Sequence, residues 1–199
     1  VHSEHTALLS GGSLAGNADL RQTTEGLWEI QGDPTEAAFL VAEHKLGAQA
    51  QRGARFERFD EVPFTSDRKM MSVLARDREQ GNTSVLVSKG APDVLLARCT
   101  HVRVGDSVEP LTPERRAQAL AHVEELSQAA LRTLAVAYRP IAADEDLRSG
   151  HALEEKLIFA GTAGIIDPPR EEAADAIQKA RRAGMRVIMI TGDHPRTAE

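Results

Sequence analysis

Phe64 and the two cations that follow it form the first segment whose residue types could do chemistry. Phe64 ends a stretch of alternating residues, and Arg68 and Lys69 stand just before the next such stretch. A purine could stack on the ring, which contributes about 1–3 kcal/mol per base, and either cation could meet phosphates. A structural interpretation is also open, with Phe64 in the core and the two cations on a solvated edge.

A lysine and a glycine at the junction of a strand and a helix form the second candidate. Lys89 ends an apolar strand, Gly90 would let the backbone approach a ligand, and Pro92 opens a helix. Because the free N–H groups of a helix N-terminus favour anions, Lys89 would add a cation at the floor of a pocket. The alternative is an ordinary turn with an exposed lysine.

Glu36 has two possible partners. Asp33 is a candidate N-cap and Pro34 fits the first helical position, which puts Glu36 at the third. From there Glu36 could close a capping box by reaching back to the backbone N–H of Asp33. It could instead accept a hydrogen bond from an adenine amino group.

Two turns in the last quarter of the chain could serve a phosphoryl group and a hinge. Thr191, Gly192 and Asp193 follow an apolar run, and ligands of open α/β sheets sit at the carboxyl ends of strands. Asp167 and Arg170 enclose two prolines, which suit a rigid hinge between a strand and a helix. Both segments also fit ordinary turns.

Composition narrows the classes of function. Acidic residues outnumber basic ones 30 to 24, so no large basic field is available to bind a nucleic-acid backbone. With seven histidines that lack metal-ligand spacing and one cysteine, Cys99, we expect no zinc site and no disulfide, and we expect Cys99 in the core. No apolar stretch approaches the ~18 residues that cross a bilayer, and no secretory leader is recognised. These features predict a reducing, cytosolic setting.

The elements that must position these residues follow from local signals. A helix is predicted over 33–47, bounded by the Asp33 cap and by Gly47. Strands are predicted over 55–64, 69–76 and 84–89, and the last two form a hairpin across a polar turn. Further predictions are a helix from Pro92 to about Cys99, a hairpin of 101–104 and 107–111, a helix from 112 to about 131 and a strand over 132–138.

The last quarter changes character. Apolar runs over 157–166 and 186–190 flank a helix over 171–183, which predicts a βαβ unit with parallel strands. We therefore expect a boundary near 150–157, with one domain over 1–152 and part of a second over 153–199.

Six short motifs occur in a recognisable order. They are Gly32-Asp33-Pro34-Thr35-Glu36, Phe64-Thr65-Ser66-Asp67-Arg68-Lys69-Met70-Met71, Lys89-Gly90-Ala91-Pro92-Asp93, Arg132-Thr133-Leu134-Ala135-Val136-Ala137, Asp167-Pro168-Pro169-Arg170 and Met189-Ile190-Thr191-Gly192-Asp193. From about Trp28 to the C-terminus this series resembles the P-type cation-transporting ATPases, closest to the calcium and sodium/potassium pump branch.

The resemblance implies an α+β nucleotide-binding domain, an antiparallel sheet flanked by helices, followed by a partial α/β, haloacid-dehalogenase-like phosphorylation domain. It implies that Phe64 stacks on adenine, Glu36 contacts the adenine, Lys89 lines the pocket and Arg132 reaches the phosphates. Nucleotide-binding residues are then Glu36, Phe64, Lys69, Lys89, Gly90 and Arg132. Thr191, Gly192 and Asp193 match the segment that meets the transferred phosphoryl group and Mg²⁺, and Asp167 and Arg170 match the hinge.

The sequence also departs from the family pattern. It contains neither the phosphorylated aspartate in Asp-Lys-Thr-Gly-Thr nor the Gly-Asp-Gly-x-Asn-Asp segment, so we expect ATP binding without catalysis. Ser66 stands where many calcium pumps have an arginine, which weakens any transfer of cation identity.

The function expected from the resemblance is that of the ATP-binding domain of a membrane pump, on the cytoplasmic face, using ATP and Mg²⁺ through an aspartyl-phosphate. Its partners would be the rest of the phosphorylation domain and the actuator and transmembrane domains, with no nucleic acid. Two alternatives are a soluble phosphatase of the haloacid-dehalogenase type and a standalone nucleotide-sensing module. An upstream Asp-Lys-Thr-Gly-Thr and flanking apolar helices of ~20 residues would distinguish the pump.

Overall fold

The structure is a computed structural model that describes residues 2–166 and 171–188. Its α-helices are α1 (His2–Leu14), α2 (Pro34–Lys45), α3 (Gln49–Arg55), α4 (Pro92–Arg98), α5 (Pro113–Gln128) and α6 (Glu171–Arg182). Its strands are β1 (Asp19–Gln22), β2 (Trp28–Gln31), β3 (Phe56–Thr65), β4 (Met70–Asp77), β5 (Thr83–Gly90), β6 (Cys99–Val104), β7 (Ser107–Pro110), β8 (Arg132–Pro140) and β9 (Leu157–Ile165). Two short 3₁₀ helices cover Arg78–Gln80 and Leu147–Leu153.

Seven strands form one sheet in the order β3-β4-β5-β8-β9-β6-β7, and β1 and β2 form a separate antiparallel ribbon. The α+β class is confirmed. The sheet is mixed rather than purely antiparallel, because β6 and β9 pair in parallel while the other neighbours are antiparallel. The long connection through α5 and β8 makes this parallel pairing possible.

Both faces of the sheet are covered by helices. Successive residues of a strand point to opposite faces, so neighbouring methionines of β4 enter different clusters. Met70 packs with Leu95 of α4 on one face, and Met71 packs with Leu14 of α1 and Phe39 of α2 on the other. Because helices cover both faces of the sheet, nearly all of β4 is buried.

Helix α1 is an element that the sequence signals missed. Its serine and glycine content is typical of a loop, yet the glycines allow close helix contact. A Cβ on Gly12 would lie 2.7 Å from Phe39 Cγ, so α2 could not approach α1 as it does. Leu14 is buried against the sheet as a result.

The prediction of a strand over 157–166 is confirmed, but the predicted pairing of that strand with 186–190 is wrong. Strand β9 lies inside the large sheet, antiparallel to β8 and parallel to β6, so both its edges are occupied. Residues 185–188 form no strand, and 189–190 lie outside the described residues. A continuous apolar run indicates burial on both faces, which an interior strand of a mixed sheet satisfies as well as a parallel βαβ unit. Strand β9 thus belongs to the same sheet as the strands before residue 152, and the predicted division into two domains stays a prediction.

Candidate functional site

The register of the large sheet aligns one end of four neighbouring strands. Met70 of β4 pairs with Gly90 of β5, which pairs in turn with Ala135 of β8. Thr65, the last residue of β3, pairs with Met70 from the other side. Five residues predicted from the sequence to bind a nucleotide lie at this end of the strands. Gly90 is part of the row, and Phe64 and Lys89 precede row residues in β3 and β5. Lys69 is in the turn before β4, and Arg132 begins β8.

Lys89 is buried and paired. Its side chain is 4% exposed, and its Nζ lies 2.9 Å from Glu36 Oε1. The ammonium also lies 5.5 Å from the centroid of the Phe39 ring. Burial lowers the pKa of Lys89, and the Glu36 carboxylate partly opposes that shift. The alternative of an exposed lysine is therefore wrong.

Glu36 uses its two oxygens on partners from other elements. Oε1 accepts from Lys89, and Oε2 accepts from the backbone N–H of Asn17 at 2.8 Å. Asp33 acts as the predicted N-cap, accepting from the Thr35 N–H at 2.7 Å, and this bond lowers the pKa of Asp33. The reciprocal bond of a capping box is replaced by the ion pair, because a buried ammonium is the stronger donor.

Arg132 reaches the same helix end from β8. Its Nη1 donates to Thr35 Oγ1 at 3.0 Å, and its charge contributes to the lowered pKa of Asp33. Arg132 is exposed, unlike Lys89. Two cations from neighbouring strands thus lie at the first turn of α2, where the helix dipole is also positive, an arrangement that attracts anions.

Phe64 is not a core residue. Its side chain is 58% exposed at the end of β3, so the structural interpretation is wrong for the ring. Lys69 is exposed as well and has a left-handed backbone with φ 54°. An exposed aromatic ring and an exposed cation therefore flank the turn between β3 and β4.

Gly90 is required by the close packing of the chain around it. A Cβ at this position would clash with the Lys69 carbonyl and lie 2.6 Å from Met70 Cβ. The Lys69 carbonyl accepts from the Ala91 N–H at 2.9 Å, which locks the turn against the start of α4. The hypothesis that this glycine also lets the backbone approach a ligand stays a prediction.

Arg68 is not on a solvated edge. Its side chain is 17% exposed and forms an ion pair with Glu154, whose side chain is 1% exposed. Sequence reasoning missed Glu154, because a carboxylate between a polar connection and an apolar strand gives no local signal of burial. Only the packing of distant segments brings the two residues together.

Five predicted residues lie outside the described residues: Asp167, Arg170, Thr191, Gly192 and Asp193. Their phosphate and hinge roles stay predictions. Among residues 2–166 and 171–188, no group of three or more His, Cys, Asp or Glu side chains could hold a metal ion.

A cavity of about 590 Å³ lies between α1, α3 and the far end of β5. None of the predicted nucleotide-binding residues line it. Its arginines are already paired, for example Arg52 with Glu43 at 2.9 Å and Arg55 with Asp77 at 2.6 Å. The cavity and the predicted nucleotide-binding residues are therefore in separate regions of the protein.

Cys99 is buried in the core as predicted, and burial raises the pKa of its thiol to about 12. In the described part of the chain, no helix is both long and apolar enough to cross a membrane.

The family model described as "P-type ATPase, cytoplasmic domain N" matches residues 4–172. The chain belongs to this family. The match begins well before Trp28, so α1 and the β1–β2 ribbon are part of the N domain.

Relatives of this N domain include pumps from bacteria and a plant. The chain is 39% identical over its full length to a calcium-transporting ATPase of Bacillus subtilis, covering 22% of that protein. It is 41% identical to calcium-transporting ATPase 1 of Lactococcus lactis, over 86% of the chain and 19% of that protein. It is 40% identical to calcium-transporting ATPase 3, endoplasmic reticulum-type, of Arabidopsis thaliana, over 86% of the chain and 19% of that protein. The chain thus spans about a fifth of the length of these relatives.

Proposed function

We propose that this N domain binds ATP at the end of the sheet where β3, β4, β5 and β8 align. The observation that carries the proposal is the register that puts exposed Phe64 and buried, paired Lys89 at the same end of the sheet. A lysine that is 4% exposed costs free energy to bury, and such groups cluster at functional sites. An exposed phenylalanine beside it offers the flat apolar surface that a base needs.

Each residue has a distinct role in this proposal. Phe64 stacks on the adenine, and Glu36 contacts its amino group from the wall that α2 forms. Lys89 lines the pocket, while Lys69 and Arg132 reach the phosphates. Because Glu36 already holds Lys89, the carboxylate fixes the position of the ammonium before the nucleotide arrives.

The parent protein in this proposal is a P-type ATPase that couples ATP hydrolysis to cation transport through an aspartyl-phosphate. The relatives named calcium-transporting ATPases support the class, and a relative from Synechocystis named cation-transporting ATPase pma1 leaves the ion open. The chain beyond Ile165 would enter the phosphorylation domain, and Mg²⁺ would arrive with ATP. Since no residue here matches the phosphorylated aspartate, the chain binds ATP without forming an acyl phosphate.

The test is a titration of the chain with ATP, followed by nuclear magnetic resonance. We expect a dissociation constant on the order of 0.1–10 mM, because the phosphate end lacks its aspartate. Phe64→Ala should lose about 1–3 kcal/mol of binding free energy. Lys89→Ala should also weaken binding, and more at low salt than at high salt.

Matched controls are available on the same elements. Phe59 is an exposed aromatic residue of β3, and Lys45 is an exposed lysine of α2. Phe59→Ala and Lys45→Ala should leave the affinity unchanged. Equal affinities for wild type, Phe64→Ala and Lys89→Ala would contradict the assignment of the pocket.

A further inference from the structure

Glu154 is a buried carboxylate that no step of the proposed function uses. Its side chain is 1% exposed, and its Oε1 accepts from Arg68 and, at 2.6 Å, from Ser72 Oγ. Ser88 Oγ lies 2.8 Å from Ser72 Oγ, and since Ser72 donates to Glu154, Ser88 donates to Ser72. The carboxylate thus closes a hydrogen-bonded row across β4 and β5.

The backbone around Glu154 is held by two other arginines. Arg139 Nε donates to the carbonyl of Leu153 at 3.2 Å, and Arg98 Nη1 donates to the carbonyl of Glu154 at 3.4 Å. Arg98 also pairs with Glu155 at 2.9 Å. The segment that carries Glu154 is therefore anchored to α4 and β8, which makes the carboxylate a fixed point.

Arg68 connects this fixed point to the proposed adenine platform. While Nη2 pairs with Glu154, Nη1 donates to the carbonyl of Pro63 at 2.7 Å. Pro63 immediately precedes Phe64, whose ring is exposed and lacks the packing that would hold it. The planar guanidinium donates along fixed directions, so the position of Glu154 constrains the backbone next to the ring.

We propose that Glu154 is a positioning residue for nucleotide binding, which orients Phe64 through Arg68 and the Pro63 carbonyl. The inference rests on the proposed function, since it assumes that Phe64 stacks on the base. Stacking requires a ring held in one orientation, and ordering a mobile ring on binding would reduce affinity. Glu154 touches no nucleotide and acts only through the Phe64 segment.

The test is a double-mutant cycle on the full 199-residue chain with ATP and with adenosine as ligands. Glu154→Gln keeps the size of the side chain and removes its charge, and we expect affinity to fall about three- to tenfold for both ligands. In a Phe64→Ala background the same substitution should cause no further loss. A role that is only structural would add to the loss in that background.

A second variant covers the case in which Glu154→Gln does not fold. Arg68→Lys keeps the charge but cannot span Glu154 and Pro63 with one planar group, so it should weaken binding similarly. Arg55→Lys is the matched control, because Arg55 forms a comparable ion pair with Asp77 at the other end of β4. It should leave affinity unchanged.

The last part of the test is a nuclear magnetic resonance measurement on the chain without ligand. The ring and amide resonances of Phe64 should shift in Glu154→Gln and Arg68→Lys and stay in place in Arg55→Lys. If wild type binds ATP and loses it in Phe64→Ala, yet Glu154→Gln and Arg68→Lys bind like wild type, this inference alone is overturned. If wild type does not bind ATP at all, the proposed function fails and the inference fails with it.

Discussion

The Lys89 ammonium lies 2.9 Å from the Glu36 carboxylate and joins the end of β5 to the first turn of α2. Two residues that are more than 50 positions apart in the sequence thus form one ion pair. The carboxylate compensates a buried cation whose other neighbours include the Gly12 carbonyl, 3.4 Å from Nζ, and the Phe39 ring. Glu36 also accepts from the Asn17 backbone N–H, so the loop between α1 and β1 is held by the same carboxylate.

Removing one partner of this ion pair should destabilise the domain more than removing both partners. Glu36→Gln leaves a buried ammonium without its counter-charge and should cost about 1–3 kcal/mol of unfolding free energy. Adding Lys89→Met removes the unpaired charge and should recover part of the lost unfolding free energy. Urea unfolding of the two single variants and the double variant measures the coupling. A double variant as unstable as the sum of the single variants would contradict the pairing.

The stability difference between wild type and Lys89→Met should change with pH in one direction. Burial lowers the pKa of Lys89 in the folded state, so the unfolded chain binds more protons between that pKa and the ordinary lysine value of about 10.4. The unfolding free energy of wild type relative to Lys89→Met should therefore rise with pH across this window. Below the lowered pKa the difference should stay constant. Chemical unfolding at a series of pH values checks the sign, and a fall with pH would show that the pair raises the pKa instead.

Local signals were enough to predict most of the elements around the site. The Asp33 cap, the start of α2 at Pro34 and the hairpin of β4 and β5 are confirmed because each depends on neighbouring residues. The N-domain resemblance is confirmed for the same reason, since its motifs are short and ordered along the chain.

Contacts between distant segments could not be read from the sequence. Glu154 and Arg68 are more than 80 positions apart, and neither residue type is usual in a buried place. The partners of β9 were predicted wrongly because an apolar run records burial but not which strands provide it. Helix α1 was missed because Gly12, which weakens a helix by itself, is needed for the contact with Phe39.

Gly90 should not tolerate even a methyl group. Gly90→Ala forces Lys69 and Met70 to move, so we expect a loss of about 1–3 kcal/mol in unfolding free energy and a disturbed turn between β3 and β4. Gly53→Ala is the control, because Gly53 lies in α3 and a Cβ there would meet no atom within 4 Å. That change should be neutral or stabilising by up to about 1 kcal/mol. Thermal and urea unfolding compare the two variants, and a neutral Gly90→Ala would show that the close approach is not required.

Amide hydrogen exchange should place the end of the folded unit after Ile165. Strand β9 is paired on both sides and buries Leu157 and Phe159, so its amides should exchange as slowly as those of β8. Strand β7 provides the internal comparison, because it is paired only with β6 and should exchange faster than β9. Most side chains over 172–182 of α6 are exposed, so that helix lacks the burial that protects β9 and should exchange much faster. The experiment is exchange followed residue by residue at constant pH. If β9 exchanged as fast as α6 while β8 stayed slow, the domain boundary near 150–157 would be right and the placement of β9 in this sheet would be wrong.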